Sequence, residues 1–284
     1  MPRAKAKAKG HIKRRRRAHV KWLAVLASII VVALGGWLWM VAANSIDPQG
    51  LVDGSVPRAA IIDELYPDST NEELVSRLSD LVGTVGLTLD VYRGDQVTVD
   101  LYGILPKGGY RLIVIRSHSG AITPNADDIK QSVGTYLFTT EKYSTLGHVW
   151  QQLKGEVKRA AISEDKPNYF AIGPNFVTGS MKGSFDNALI ILDGCSGLLF
   201  DDLAKALLSK GASGFLAWDA TVRLDYVDPA TGSLVKYLTS GYSIANAVNL
   251  TMQERGRDPD SKATLKYYPK EIGNRTFHEL TKRD

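Results

Sequence analysis

No aspartate or glutamate occurs before Asp47, and the 284-residue chain holds a single cysteine, Cys195. One cysteine excludes an intrachain disulfide and any multi-cysteine metal site, so the thiol is either a small apolar filler or a reactive group. The missing acids make the overall charge misleading. Residues 1–46 carry ten cations, the last being Lys21; without them the 35 Lys and Arg fall to 25 against 30 Asp and Glu. The formal +5 is therefore a basic arm attached to a body of about −5. That body is not the basic surface a nucleic-acid-binding domain needs, and 44% apolar residues exclude disorder for the bulk of the chain. Internal repeats with a period of about 20 to 50 residues are also missing.

Charge is missing altogether from residues 22–43, WLAVLASIIVVALGGWLWMVAA. As a helix this run is about 33 Å long, enough for a hydrocarbon core of about 30 Å, and Trp22, Trp37 and Trp39 suit its two interfaces. Ten cations precede the run and Asp47 and Asp53 follow it, so the positive-inside rule keeps residues 1–21 in the cytoplasm. A cleaved signal peptide is the competing reading, with Val41-Ala42-Ala43 as the small-residue site, but the run exceeds a normal signal core. The expectation is a single-pass anchor with a cytoplasmic N-terminus and an extracytoplasmic main domain. The basic arm orients the span and lies on anionic lipid. It lacks aromatic interleaving, so no nucleic-acid partner is expected. Residues 44–57, with two prolines and two glycines, read as a linker.

From residue 58 to 284, short apolar runs alternate with helix-period stretches, which predicts an α/β domain with a mostly parallel sheet. Strands are expected at 59–62, 87–92, 112–115, 169–172, 188–192, 214–218 and 263–268, with a strand or hairpin arm at 136–140. Helices are expected from about 71, where Thr70 and Glu73 would form a capping box, and at 148–157, 201–209 and 243–254. A short helix around Leu101, Ile104 and Leu105 should end at Pro106. Asp228-Pro229 reads as an N-cap and first-turn proline opening a helix to about 239.

In parallel sheets, catalytic groups gather where strands end and loops leave for the next helix. The strand at 112–115 runs into Arg116-Ser117-His118-Ser119-Gly120, and that at 188–192 into Asp193-Gly194-Cys195-Ser196-Gly197. A histidine and the only cysteine thus follow two apolar strands at equivalent positions. Individually each is most often a core or surface residue. Together they suit a thiolate nucleophile with an imidazole that lowers its pKa or protonates a leaving amine, and amides at the glycine turns could stabilise an oxyanion.

The segments LIVIRSHSG and LIILDGCSG, His before Cys, resemble the caspase-like cysteine peptidases, the superfamily of gingipain, clostripain, legumain, separase, metacaspases and CHAT peptidases. DLAKALLSKGASGFLAWDATV, followed by a helix beginning Pro229-Ala230-Thr231, is similar to the pattern after the cysteine in CHAT members. The likeness covers about residues 59–255 and lies nearest CHAT- or metacaspase-like members. It implies a three-layer α/β fold and a protein or peptide substrate. It also implies Cys195 as nucleophile, His118 as general acid, and the amides of Cys195 and of Ser119 or Gly120 as oxyanion donors. In metacaspases an Asp two residues before the nucleophile helps bind a basic side chain before the scissile bond, and Asp193 holds that position; Asp219 and neighbouring Trp218 are further candidate walls. For Asp219 an ordinary loop acid or cap remains the other reading. Ser119 intervenes between His118 and Gly120, departing from the His-Gly pattern. The spacing of 77 residues from His118 to Cys195 requires an insertion at 121–186, read as a substrate-covering hairpin.

Two alternatives stay open. One is a catalytically inactive caspase-like scaffold or sensor on a membrane anchor. The other is an α/β-hydrolase with a cysteine nucleophile, for which Gly194-Cys195-Ser196-Gly197 is suggestive, although Asp193 is too large for that elbow and His278 is the sole downstream histidine. No cofactor is expected. The acids Asp127, Asp128, Asp201 and Asp202 could bind calcium but follow no EF-hand pattern, and His148 reads as a surface residue.

Overall fold

A computed structural model describes residues 57–122, 134–163 and 165–282; the expected anchor, basic arm and most of the linker lie outside the described residues. Among the described residues no helix is long and apolar enough to cross a membrane.

Strands β1 (Arg58–Asp63), β2 (Thr88–Arg93), β3 (Tyr110–Arg116), β8 (Leu189–Asp193), β9 (Gly214–Trp218) and β10 (Leu265–Tyr268) form one sheet in the order β10-β9-β8-β3-β1-β2. Every neighbouring pair is parallel except β10 with β9. The central strands read RAAIID, YRLIVIR and LIILD, continuous apolar runs because both faces are covered. Alternation along β3 sends Ile113 and Ile115 into one core with helices α2 (Val99–Ile104), α4 (Pro174–Gly179) and α5 (Asp202–Ser209). Leu112 and Val114 enter the other core, with α1 (Glu72–Gly83), α6 (Leu224–Thr239) and α7 (Ile244–Arg255). Two cores on opposite faces of one mostly parallel sheet make the expected three layers.

The segment between β3 and β8 is more than a hairpin. β4 (Ser119–Ile122), β5 (Gly134–Lys142), β6 (Val157–Ala161) and β7 (Asn168–Ile172) form a second, antiparallel sheet in the order β4-β5-β7-β6. Leu137, Val157, Phe170 and Ile172 from this sheet belong to the α2/α4/α5 core. The helix expected at 148–157 shrinks to α3 (Val149–Leu153), because Gly155 turns the chain at φ +67° and Val157 already starts β6.

Two helix starts differ from expectation. Asn71, not Thr70, caps α1, its side chain accepting from the Leu74 amide. Asp228 is not an N-cap: α6 begins at Leu224 after Arg223, and Pro229 lies in its second turn. The Asp228 carboxylate is taken by an arginine of the sheet and cannot serve a helix end.

Candidate active site at the carboxyl ends of the central strands

Register places Asp63, Arg116 and Asp193 side by side on β1, β3 and β8. By alternation all three face the layer of α1 and α6. Arg116 is fully buried, and its Nε and Nη2 each donate to Asp228 of α6 at 2.9 Å. Nη1 donates to Asp63 Oδ1 at 2.8 Å and to the Ser69 carbonyl at 2.9 Å. Asn71 Nδ2 adds a bond to Asp228 at 2.7 Å. One guanidinium thus hydrogen-bonds two of three neighbouring buried carboxylates, and Asp63 Oδ2 and both Asp193 oxygens lack a hydrogen-bond partner. The Thr231 hydroxyl approaches Asp193 without closing a well-formed bond. Burial, reinforced by the Asp228 charge, pushes the Asp193 carboxyl up to about 8, so it holds its proton at neutral pH.

Beyond this row the two loops stay clamped. Ser117 N donates to the Asp193 carbonyl at 3.2 Å, and Ser119 Oγ to the Cys195 carbonyl at 2.7 Å. Gly194 permits the approach, since a Cβ there would collide with the Ser117 carbonyl. Ser196 follows the cysteine in the left-handed region, φ +55°, a strained turn held by its amide on the Ala220 carbonyl at 2.9 Å.

His118 and Cys195 therefore leave adjacent strand ends, but their side chains take different surroundings. The His118 ring meets Phe138 edge-on at 5.9 Å and lines a cleft of about 140 Å³ with Glu64, Asp68, Thr140, Lys142 and Tyr169. Its backbone amide donates to buried Glu64 at 2.8 Å, and burial raises that carboxyl to about 7. Burial lowers the His118 pKa, keeping the imidazole neutral at pH 7. Half-buried Cys195 packs on the α6/α7 core instead, its Sγ accepting from the Val222 amide at 3.5 Å. Burial pushes this thiol up. No hydrogen bond joins the two side chains, so thiol and imidazole rest as a neutral, separated pair. The Val222 amide favours the thiolate, but burial outweighs it.

Of the expected oxyanion donors, the Cys195 amide has no acceptor among the described residues. Phe138 N donates to the His118 carbonyl at 3.0 Å, so antiparallel alternation commits Gly120, paired with Tyr136, to the ladder. It leaves the Ser119 amide directed away from β5. The expected walls are corrected. Trp218 is 1% exposed and stacks edge-on with Tyr226 at 5.3 Å, a core residue. Asp219 is consumed by the Thr264 amide and hydroxyl, both at 2.7 Å, and by Lys266 at 2.9 Å, which join β9 to β10. Asp193 faces the buried arginine, not an open pocket. His148 pairs with Glu141 at 2.7 Å; Asp201 pairs with Lys205, and Asp202 receives the Thr135 amide. Asp127 and Asp128 lie outside the described residues.

Sequence reasoning passed over Asp63, Glu64 and Asp228 as site residues. Its available signal was a charge closing each of three apolar runs, in AAIIDE, LIVIRS and LIILDG.

No family model matches the sequence, and no curated protein matches it. Among solved structures the chain is similar to protein GSU0716 from Geobacter sulfurreducens, with a TM-score of 0.41 at 10% identity over 80% of this chain and 100% of that one. It is also similar to the Drosophila initiator caspase Dronc, with a TM-score of 0.37 at 10% identity over 80% of this chain and 83% of that one. Both scores fall short of what a shared fold requires.

Proposed function

We propose that this chain is a membrane-anchored, extracytoplasmic cysteine endopeptidase of caspase-like architecture, working through His118 and Cys195. The observation that carries the reading is the clamp between Ser119 Oγ and the Cys195 carbonyl, which holds the two residues on adjacent, in-register strand ends. In the reaction Sγ forms a bond to the scissile carbonyl carbon as its proton passes to His118, and that proton then goes to the leaving amine. The Cys195 and Ser119 amides receive the oxyanion. Water then hydrolyses the thioester. Residues 22–43 anchor the chain, with the basic arm on the cytoplasmic side.

The test is cleavage of a peptide library by the full chain beside Cys195→Ala and His118→Ala. Loss of cleavage by about a thousandfold in each variant is expected. Cleavage that persists in Cys195→Ala, or none in the unaltered chain, overturns the peptidase reading. A second reading, an inactive scaffold on the same anchor, is favoured by the burial that raises the pKa of the Cys195 thiol.

A further inference from the structure

The antiparallel sheet presents an apolar knob built the reverse of normal. Leu146 is 86% exposed, Trp150 and Leu153 74% each, and Val149 41%. Their spacing of three, one and three residues puts them on one side of α3 and the turn before it. Two polar side chains of the same segment, Gln152 and His148, are engaged by the domain instead. Gln152 receives the Tyr143 hydroxyl at 2.8 Å and donates to the Ser144 carbonyl at 2.9 Å. His148 is held by Glu141 and packs edge-on against Phe170 at 5.0 Å. The knob is thus tied down by its polar side, with its apolar side free among the described residues.

The segment that carries it, between Glu141 and Glu164, is basic on an otherwise acidic body. Between residues 142 and 163 the only acid is Glu156, which is 5% exposed and receives the Ser180 hydroxyl at 2.5 Å. The same stretch carries Lys142, Lys154, Lys158 and Arg159, none of them buried. Apolar side chains led by an exposed tryptophan and fringed by cations are the chemistry of an anionic bilayer surface, in which the ring sits at headgroup level. The sequence also supplies a bilayer within reach. Residues 44–57 join the apolar run at 22–43 to the domain, and fourteen extended residues span about 46 Å.

We propose that Leu146, Val149, Trp150 and Leu153 dock onto the anionic surface of the membrane in which the chain is anchored. The inference rests on the anchored reading above. Docking adds a second attachment to the tether, and cations flanking the apolar residues strengthen it.

The test uses the full chain in vesicles of phosphatidylcholine, with or without about 30% phosphatidylglycerol. A Cys195→Ser, Leu153→Cys variant carries an environment-sensitive fluorophore at position 153. Docking predicts a blue shift and at least about twofold quenching by lipids spin-labelled near the headgroup, in anionic vesicles only. Adding Trp150→Ser should weaken docking at least about fivefold through lost apolar burial, and Lys154→Glu with Lys158→Glu should weaken it about fivefold for each unit of charge changed. Vesicle-bound chain whose fluorophore stays in water overturns the proposal and leaves the anchor standing. Chain absent from the vesicles overturns the anchor and the proposal together. Quenching that is equal in neutral vesicles and insensitive to the charge reversals overturns the anionic surface as the occupant. Crosslinks between copies at position 153 with no lipid quenching assign the knob to a second copy and also overturn it.

Discussion

Asp63, Asp193 and Asp228 neighbour one guanidinium, and the one without a hydrogen bond to it sets a measurable pH dependence. Asp193 keeps its proton in the folded chain up to about pH 8, whereas its ordinary value is near 3.8. Between those values the folded state binds a proton the unfolded state has released, so stability falls as pH rises through this window and levels off above it. Asp193→Asn is isosteric and cannot ionise. Its melting temperature should match the unaltered chain only below about pH 3.8 and exceed it by a margin that widens up to about pH 8; parallel curves for the two would show that the carboxyl is ionised in the fold. The same protonation bears on specificity, because a neutral carboxylic acid is a weak partner for a substrate cation.

At the scale of elements, Asn71 joins two events that look separate in the sequence. Its Oδ1 caps α1 at the Leu74 amide, 3.0 Å away, while its Nδ2 holds Asp228 of α6 at 2.7 Å. Asn71→Ala should cost about 1–2 kcal/mol, as a lost cap with a weakened buried network does. Thr70→Ala, which gives up one exposed bond to the Tyr66 carbonyl, should cost less than half of that. Urea titration of both variants reads the difference, and equal losses would return the cap to Thr70. The strands were legible because runs such as LIIL are apolar on both faces. The start of α6 was not: a dipeptide such as Asp228-Pro229 carries the local signal of a helix start whether or not a distant arginine claims its carboxylate.

For the whole molecule, the proposed topology rests on the charge asymmetry of the sequence. A protease added outside intact cells should degrade residues 58–284 and spare the basic arm, provided the ten cations hold residues 1–21 in the cytoplasm. Protection of the main domain would reverse the orientation. The two sheets also change what the inserted segment is. Phe170 and Ile172 are buried in the core, so the second sheet is structural, and its outward contribution is the exposed Trp150 and its neighbours.

What the sequence by itself determined is local and periodic. Apolar runs and helix periods specified an α/β domain with a mostly parallel sheet, and the strand ends that carry His118 and Cys195 followed from chain order alone. The tertiary structure decided everything that depends on partners distant in sequence. Arg116 meets Asp228 across 112 residues, and Sγ of Cys195 meets the Val222 amide across 27. Burial makes Asp193 a neutral acid and Trp218 a core residue, and Thr264 and Lys266 make Asp219 a link between strands. Periodicity reports which face a residue takes, whereas charge state and accessibility are set by whatever the fold packs against that face.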